Sequence, residues 1–238
     1  MSTTTHGRAD STPSATSAAT GRNLAAFVAR AWKLRATGSE LVPAHGPVIL
    51  ASNHTAFLDG LFLVAASPRP VHVLVSADIA VAPFARALSA SGQIAMASDV
   101  PDRHALGRAR DVLDQAGVVG IFPEGTRGPG DGRHIDHATA YLAALSGALV
   151  VPVAMLGARP TGSGKDALPR LRSRIDVVFG APADIRVEGD ARRRAVLARS
   201  GERLRQLLAD HVRMACALTG QTLPGPLPAT PTLHRSNS

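Results

Sequence analysis

The chain has 238 residues, 45% of them hydrophobic, and a formal net charge of +8. This length is enough to bury the core of one domain, and the single cysteine, Cys216, excludes an internal disulfide and a metal site made of several cysteines. The positive charge suits anionic partners such as lipid headgroups. The 3% aromatic content offers no basic–aromatic pattern for stacking bases, so we expect no nucleic-acid partner.

Both ends of the chain are predicted to lie outside the folded domain. Residues 1–22 are polar, lack the apolar core of a signal peptide and are predicted to form a disordered leader. Residues 221–238 are rich in Pro, Thr and Ser and are predicted to form a disordered tail. The domain is therefore expected over residues 23–220. No apolar run reaches about 18 residues, so we expect no membrane-spanning helix and a cytoplasmic protein.

The domain is predicted to begin with an N-terminal amphipathic helix over residues 23–36. The apolar residues of this segment, among them Leu24, Phe27 and Trp32, cluster toward one side of a helical wheel, with basic residues at its edge. Such a helix could lie on an anionic membrane with Trp32 at the level of the headgroups. It could equally pack against the domain, and the sequence favours neither.

From Pro47 onward, short apolar runs alternate with amphipathic segments. The runs predict strands over residues 48–52, 71–76, 93–97, 118–122, 148–154 and 174–179. The amphipathic segments predict helices over residues 58–66, 79–89, 103–116, 136–146 and 191–218. This alternation predicts a single α/β domain with a mostly parallel central sheet flanked by helices. In such sheets, functional residues gather where the strands end.

The first candidate site lies at residues 53–59 (Asn-His-Thr-Ala-Phe-Leu-Asp), directly after the first predicted strand of the alternating region. A turn could fold Asp59 back onto the imidazole of His54 and leave the far ring nitrogen open. A base with a carboxylate that orients it is the pair that activates a hydroxyl. In the alternative interpretation, the segment is a polar loop in which Asp59 caps the next helix. Spacing alone favours the cap.

The second candidate site lies at residues 122–127 (Phe-Pro-Glu-Gly-Thr-Arg), directly after a buried-strand pattern. Pro and Gly shape the turn, Thr126 and the backbone amides offer hydrogen-bond donors, and Arg127 offers a planar fork suited to a phosphate. Alternatively, Glu124 and Arg127 form an ion pair within a surface loop.

Together, the two segments resemble motifs of the glycerolipid acyltransferases, the lysophosphatidic-acid-acyltransferase-like enzymes. The first motif of that family, Asn-His-x4-Asp, is matched by Asn53, His54 and Asp59, and the third, Phe-Pro-Glu-Gly-Thr-Arg, is matched in full. The fourth, Val-Pro-Val, is matched at residues 151–153. The resemblance spans roughly residues 38–185, with the motifs in the family's order. It reverses the preference for a helix cap at Asp59.

The resemblance implies that His54 is the general base on the acceptor hydroxyl and that Asp59 orients it. The activated oxygen would attack the thioester of acyl-CoA or acyl-ACP, which serves as co-substrate, and would release the thiol. No cofactor and no metal are expected. The implied substrate-binding residues are Glu124, Gly125 and Thr126 in the acceptor pocket, Arg127 on its phosphate, and Pro152 on the acyl-donor side.

The implied partners are an acyl thioester, which brings an acyl carrier protein when the donor is acyl-ACP, and a lipid acceptor. We expect the protein to lie peripherally on the anionic inner face of the cell membrane. Two segments could make that contact, the helix at residues 23–36 and the arginine-rich last helix at residues 191–218. On the last helix, the arginines are more typical of a solvated face.

Two departures from the family pattern leave the acceptor open. The second motif usually ends in an arginine, where this chain has Ser98, and Arg103 could take its place. The loss of one guanidinium removes a charge-assisted contact of about 1.5–3 kcal/mol. A lysine usual near residue 136 is also missing. The acceptor is therefore a lysophospholipid such as 1-acyl-glycerol-3-phosphate, or a lipid without phosphate (a glycolipid, an isoprenoid alcohol or an ornithine-type lipid). A lipid-binding protein without turnover is the third alternative.

Overall fold

The computed structural model describes residues 15–76, 92–96, 102–133, 135–190 and 193–228. Within these residues the strands are β1 (Lys33–Thr37), β2 (Val48–Ser52), β3 (Val71–Ser76), β4 (Ile94–Met96), β5 (Val118–Ile121), β6 (Leu149–Leu156) and β7 (Arg174–Phe179). The helices are α1 (Ala15–Ala29), α2 (Asp59–Ala66), α3 (Arg103–Asp114), α4 (Ala138–Ser146) and α5 (Arg194–Thr219), with a 3₁₀ turn at Ser39–Leu41.

The described strands form one seven-stranded sheet in the order β1-β7-β6-β2-β5-β3-β4. Neighbouring strands are parallel except β6 and β7, which are antiparallel. The predicted α/β fold with a mostly parallel sheet is confirmed. Because β7 reverses direction, the segment between β6 and β7, residues 157–173, lies at the edge where β2, β5 and β6 end.

Helices cover both faces of the sheet, and the central strand β2 shows how. Every residue of β2 is buried. Val48 and Leu50 belong to the apolar cluster that includes residues of α1 and α2. Ile49 and Ala51 belong to the cluster that includes residues of α3 and α4. Alternate side chains of a strand point to opposite faces. A strand covered on both sides therefore reads as the unbroken apolar run seen in the sequence.

On the α1/α2 face, a glycine sets how closely α2 approaches the sheet. A Cβ atom added to Gly120 of β5 would lie 2.9 Å from Cγ2 of Val73 and 3.0 Å from Cδ2 of Leu63 on α2. Both distances are shorter than ordinary van der Waals contact. The missing side chain at position 120 is therefore a packing requirement.

The predicted N-terminal helix over residues 23–36 is wrong at both ends. The helix begins at Ala15, so residues 15–22 are helical rather than part of the predicted leader, and it ends at Ala29. An alanine-rich sequence favours the longer helix, and Ala18, Ala25 and Ala29 are buried. The chain then enters β1, which pairs with β7. A helical wheel cannot register this long-range pairing, which places Lys33 and Arg35 on an edge strand.

Both alternatives for the predicted helix placed Trp32 on it, whereas Trp32 lies beyond the end of α1. It precedes β1, and its ring makes an edge contact with Phe62 of α2, with 5.3 Å between the ring centroids. Its indole N–H donates to the carbonyl oxygen of Pro169 at 3.2 Å. Trp32 therefore braces α2 and the segment between β6 and β7.

The predicted tail is ordered against the domain over residues 221–228. The carbonyl oxygen of Pro224 accepts from the amide of Gly162, and that of Gly225 accepts from the guanidinium of Arg159 at 2.6 Å. A proline-rich strip reads as unstructured from composition, but its free carbonyl groups are good acceptors for a buried arginine. Residues 229–238, the predicted helix at residues 79–89, and Ser98 lie outside the described residues. No helix in the described ranges is long and apolar enough to cross a membrane.

Candidate active site

The sheet brings the first and third motifs together. Strands β2 and β5 are parallel neighbours, with Ala51 paired to Ile121 near their carboxyl ends. The first motif begins after Ser52 and the third begins at Phe122, so both leave the same edge of the sheet side by side. Two hydrogen bonds from backbone amides join them: the amide of Gly128 donates to the carbonyl oxygen of His54 at 2.9 Å, and the amide of His54 donates to the side-chain carboxylate of Glu124 at 3.3 Å.

His54 and Asp59 form a hydrogen-bonded pair, with 2.9 Å between Nδ1 of His54 and Oδ2 of Asp59. The same carboxylate oxygen accepts from the amides of Thr55 at 2.6 Å and Ala56 at 2.8 Å. An ionised carboxylate only accepts, so the hydrogen of the imidazole lies on Nδ1. The far nitrogen, Nε2, then keeps its lone pair and can take a proton.

Asp59 does not act as a helix cap. It is the first residue of α2, and at Leu58, the position before it, no side chain caps the helix. The Asp59 carboxylate turns back onto residues 54–56 instead. Its other oxygen, Oδ1, is buried and has no hydrogen-bond partner within the described part of the chain. The carboxylate is thus held through one oxygen, by one imidazole and two amides.

The imidazole of His54 is also fixed by stacking. Its ring lies over the ring of Phe122, with centroids 4.2 Å apart and planes inclined by 22°. The aromatic first residue of the third motif therefore supports the histidine of the first. This contact gives Phe122 a task that the sequence interpretation left unassigned.

Glu124, a predicted acceptor-pocket residue, has a perturbed carboxyl group. Burial raises the pKa of Glu124 to about 7, and the negative charges of Asp131 and Asp59 act in the same direction. The hydrogen bond from the amide of His54 opposes the shift. Near neutral pH this carboxyl can therefore hold or release a proton beside the His54–Asp59 pair.

Arg127 does not pair with Glu124, contrary to the loop alternative considered above. Its Nη1 atom donates to Oδ1 of Asp166 at 2.6 Å and to the carbonyl oxygen of Lys165 at 3.2 Å. The guanidinium carbon lies 5.7 Å from the centroid of the Phe57 ring. The Arg127 side chain is 16% exposed and that of Asp166 is 69% exposed. Solvent therefore reaches the acidic partner much more easily than the arginine.

Of the remaining residues predicted for the site, some lie in the third-motif turn and others lie elsewhere. Gly125 and Thr126 are exposed in the third-motif turn, beside Glu124 and Arg127. Pro152 is buried on the opposite face of the sheet: a Cβ atom added to Gly180 would lie 2.8 Å from Cγ of Pro152 and 2.7 Å from Nδ1 of His211. The structure therefore does not bring the Pro152 ring to the His54–Asp59 pair. Arg103, the suggested substitute for an arginine at Ser98, is exposed on the first turn of α3.

Besides Phe122, two residues that shape the site received no role from the sequence, and the first is Asn53, which was matched to the first motif only. Its amide nitrogen donates to the carbonyl oxygens of Gly130 and Met155, both at 3.2 Å, and its oxygen accepts from the amide of Met155 at 2.7 Å. Gly130 has φ of +74°, and a Cβ atom there would lie 2.3 Å from Cγ2 of Thr55. Asn53 thus ties the end of β2 to β6 and to the loop after the third motif.

The second is Arg159, which follows β6 and is almost fully buried. Its guanidinium donates to the carbonyl oxygens of Ser163 at 2.7 Å, Gly128 at 3.1 Å and Gly225 at 2.6 Å. Burial lowers the pKa of Arg159, and the negative charge of Asp59 acts in the opposite direction. A buried positive charge near Asp59 thus holds the third-motif loop and the C-terminal strip together. Its place after a strand end was the one signal in the sequence.

The described residues include no group of three His, Cys, Asp or Glu side chains placed to hold a metal ion. The chemistry that the site can perform with its own groups is proton transfer at Nε2 of His54, with orientation by Asp59. The nearby guanidinium of Arg127 can attract an anionic group of a substrate.

Comparisons with known proteins agree with the motifs. The model of the family described as Acyltransferase matches residues 33–156. The 1-acyl-sn-glycerol-3-phosphate acyltransferase of Borreliella burgdorferi is 28% identical over 127 residues, which are 52% of this chain and 51% of that protein. The chain thus matches about half the length of this curated relative.

A solved structure extends the likeness in fold. The crystal structure of the 1-acyl-sn-glycerophosphate (LPA) acyltransferase PlsC from Thermotoga maritima superposes with a TM-score of 0.61 and 19% sequence identity. The superposition covers 84% of this chain and 80% of that chain. At this identity the likeness concerns the fold, and it extends beyond the region matched by the family model.

Proposed function

The chain belongs to the acyltransferase family, and on that basis we propose that it transfers a fatty acyl group from acyl-CoA or acyl-ACP to the hydroxyl of a lysophospholipid such as 1-acyl-glycerol-3-phosphate. The observation that carries this proposal is the His54–Asp59 pair, 2.9 Å apart, with Nε2 of the imidazole unengaged by the carboxylate. The proposal is further supported by the position of the third motif beside the pair.

The reaction proceeds by direct transfer. Nε2 of His54 takes the proton of the acceptor hydroxyl as its oxygen attacks the carbonyl carbon of the thioester. Asp59 stabilises the imidazolium that forms and keeps the ring in place. The C–S bond then breaks, the ester remains, and the thiol leaves with the proton returned by His54. General base catalysis of this kind contributes about 10²–10⁴-fold to a rate.

The acceptor phosphate is assigned to Arg127. A phosphate can accept two parallel hydrogen bonds from a guanidinium, whereas Asp166 accepts one from Nη1 of Arg127. Because Asp166 is exposed and regains water when it is released, its exchange for a phosphate costs little. Glu124 holds the backbone of His54, and Gly125 and Thr126 line the same turn.

The second candidate is the same transfer to a lipid without phosphate. It is favoured by Ser98, which stands where the family motif usually supplies an additional arginine. A strong preference for lysophosphatidic acid over glycolipid, isoprenoid and ornithine-lipid acceptors would exclude it. A lipid-binding protein without turnover is the third candidate. For all three candidates we propose a peripheral location on the inner face of the cell membrane.

Thiol release from acyl-CoA in the presence of a lysophospholipid tests the function directly. We expect turnover by the wild-type protein and loss of about 10²–10⁴-fold in kcat for His54→Ala. His45→Ala is the matched control, since His45 is exposed in the loop before β2, at the opposite edge of the sheet. Wild-type turnover by His54→Ala would contradict the base assignment, and absence of turnover with every thioester and acceptor would favour the binding protein.

A further inference from the structure

The segment between β6 and β7, residues 157–173, is attached at several points to residues 31–33, where the chain passes from α1 into β1. The amide of Arg172 donates to the carbonyl oxygen of Ala31 at 2.7 Å, and the amide of Lys33 donates to that of Ser173 at 2.9 Å. The indole of Trp32 donates to Pro169. The amides of Arg30 and Trp32 in turn donate to carbonyl oxygens in the last turn of α1, so that turn adjoins residues 168–173 through residues 31–33.

This surface combines exposed apolar side chains with cations. Leu171 is 73% exposed, Phe27 is 68% exposed and Leu168 is 58% exposed. Arg30, Arg170 and Arg172 are exposed nearby along the same two segments. We name these six residues the edge patch. None of its three arginines forms an ion pair with another described residue, and the exposed acid on the same segment, Asp166, is paired with Arg127.

The edge patch is close to the candidate active site. The segment that carries Leu168 also supplies Lys165 and Asp166, which accept hydrogen bonds from Arg127 of the third motif. Trp32, which holds the segment at Pro169, contacts α2, the helix that begins with Asp59. The edge patch and the candidate active site thus lie at the same end of the strands. A lipid in a bilayer that contacts the patch would have a short path to the site.

We infer that the edge patch is the surface on which this protein docks to an anionic lipid bilayer, with Phe27, Leu168 and Leu171 in the headgroup layer and the arginines on lipid phosphates. Aliphatic and aromatic side chains ringed by guanidinium groups match that boundary in both polarity and charge. The inference rests on the proposed function, because a lipid acceptor gives the docking its purpose.

The arginine-rich helix α5 differs from the edge patch, because two of its five arginines are paired with acids on the same helix. Arg205 pairs with Glu202 at 2.6 Å, and Arg213 pairs with Asp210 at 2.5 Å. These two arginines are neutralised by neighbours on their own helix, as is typical of a solvated face. The sequence analysis favoured a solvated face for the arginines of the last helix, and these two ion pairs agree with it.

Flotation of the full chain with vesicles tests the inference. The vesicles contain phosphatidylcholine alone or phosphatidylcholine and phosphatidylglycerol in equal parts. We expect wild-type binding to the anionic vesicles. Arg170→Gln with Arg172→Gln should weaken it about 30-fold, and Leu168→Ser with Leu171→Ser about tenfold. The matched controls on α5 are Arg205→Gln with Arg213→Gln, and Met214→Ser with Leu218→Ser, where Met214 and Leu218 are also exposed.

Unchanged binding by both edge-patch variants would overturn the inference, as would an equal loss in the α5 variants or a wild-type protein that does not bind anionic vesicles. Thermal unfolding confirms that the variants are folded.

Thiol release with a water-soluble short-chain lysophospholipid separates the inference from the proposed function. Edge-patch variants should keep that activity and lose activity on acceptor embedded in vesicles. Vesicle binding through the patch without any turnover would leave the docking standing and remove the acyltransferase proposal.

Discussion

Two buried aspartates at the same end of the sheet do different work. Asp59 faces two amides and an imidazole. Asp176 on β7 faces the guanidinium of Arg174 at 2.7 Å and the side-chain amide of Gln221. An arginine never gives up its proton at physiological pH, so Asp176 has a fixed partner. The imidazole of His54 can gain and lose a proton, so Asp59 has a partner whose charge can change. The difference distinguishes a group that supports catalysis from one that supports structure.

Among the variants that test this comparison, Asp59→Asn should have the largest effect. The amide can donate to Nδ1 and stabilise the wrong tautomer, and it cannot stabilise the imidazolium. We expect kcat to fall about 10³–10⁴-fold, as in hydrolase triads where the aspartate is replaced in the same way. The measurement is steady-state thiol release.

Asp176→Asn is the matched variant, since the two aspartates are equally buried. It should keep kcat within twofold and lower the free energy of unfolding by about 1–3 kcal/mol, because a charge-assisted bond to Arg174 is weakened. If Asp176→Asn abolished turnover as Asp59→Asn does, the distinction between the two carboxylates would fail.

Glu124 is a third carboxyl group to compare with Asp59 and Asp176. Burial raises its pKa from about 4.5 to about 7. A carboxyl whose pKa is higher in the folded than in the unfolded state makes folding less favourable as pH rises between these two values. Glu124→Gln should remove that penalty. We therefore expect the variant to gain up to about 3 kcal/mol in unfolding free energy, relative to wild type, between pH 4 and pH 8. Denaturant titrations at both pH values measure it, and parallel pH dependence in the two proteins would contradict it.

The smallest expected effect concerns two arginine–aspartate pairs. In the Arg174–Asp176 pair the acid is buried, whereas in the Arg127–Asp166 pair the arginine is the more buried partner and the acid is exposed. Arg127 is therefore free to exchange its acid for a substrate anion. Arg127→Met should raise KM for lysophosphatidic acid about 10–100-fold and leave KM for neutral acceptors unchanged. Equal changes for both classes would reject the phosphate role.

The sequence predicted those parts of the molecule that depend on local patterns. The apolar runs gave β2, β3 and β7 with the bounds seen in the structure. The order of the motifs, through the family resemblance, indicated that the loops containing His54 and Arg127 belong to one site. Each strand and each motif is encoded within a few consecutive residues, and the resemblance supplied the link between the motifs.

What the sequence could not reveal depends on distant partners. Strand β1 exists because β7 offers it a free edge, across more than half of the chain. Trp32 looked like part of a helical face, yet its position is set by Phe62 and Pro169. Arg159 carries no local pattern, and its role is visible only from the carbonyl groups of Gly128 and Gly225. Pro152 matched its motif, but alternation along β6 directs it to the other face.

The glycine at position 120 has a further consequence for the chemistry. It determines how deeply α2 is seated, and the first residue of that helix is Asp59. A methyl group at position 120 would press on the side chains of Val73 and Leu63, so the Leu63 side chain or α2 itself would have to move. The hydrogen bond between Asp59 and His54 thus depends on packing beneath the site, at a residue that takes no part in the reaction. Surveys of the reacting groups alone would overlook such a position.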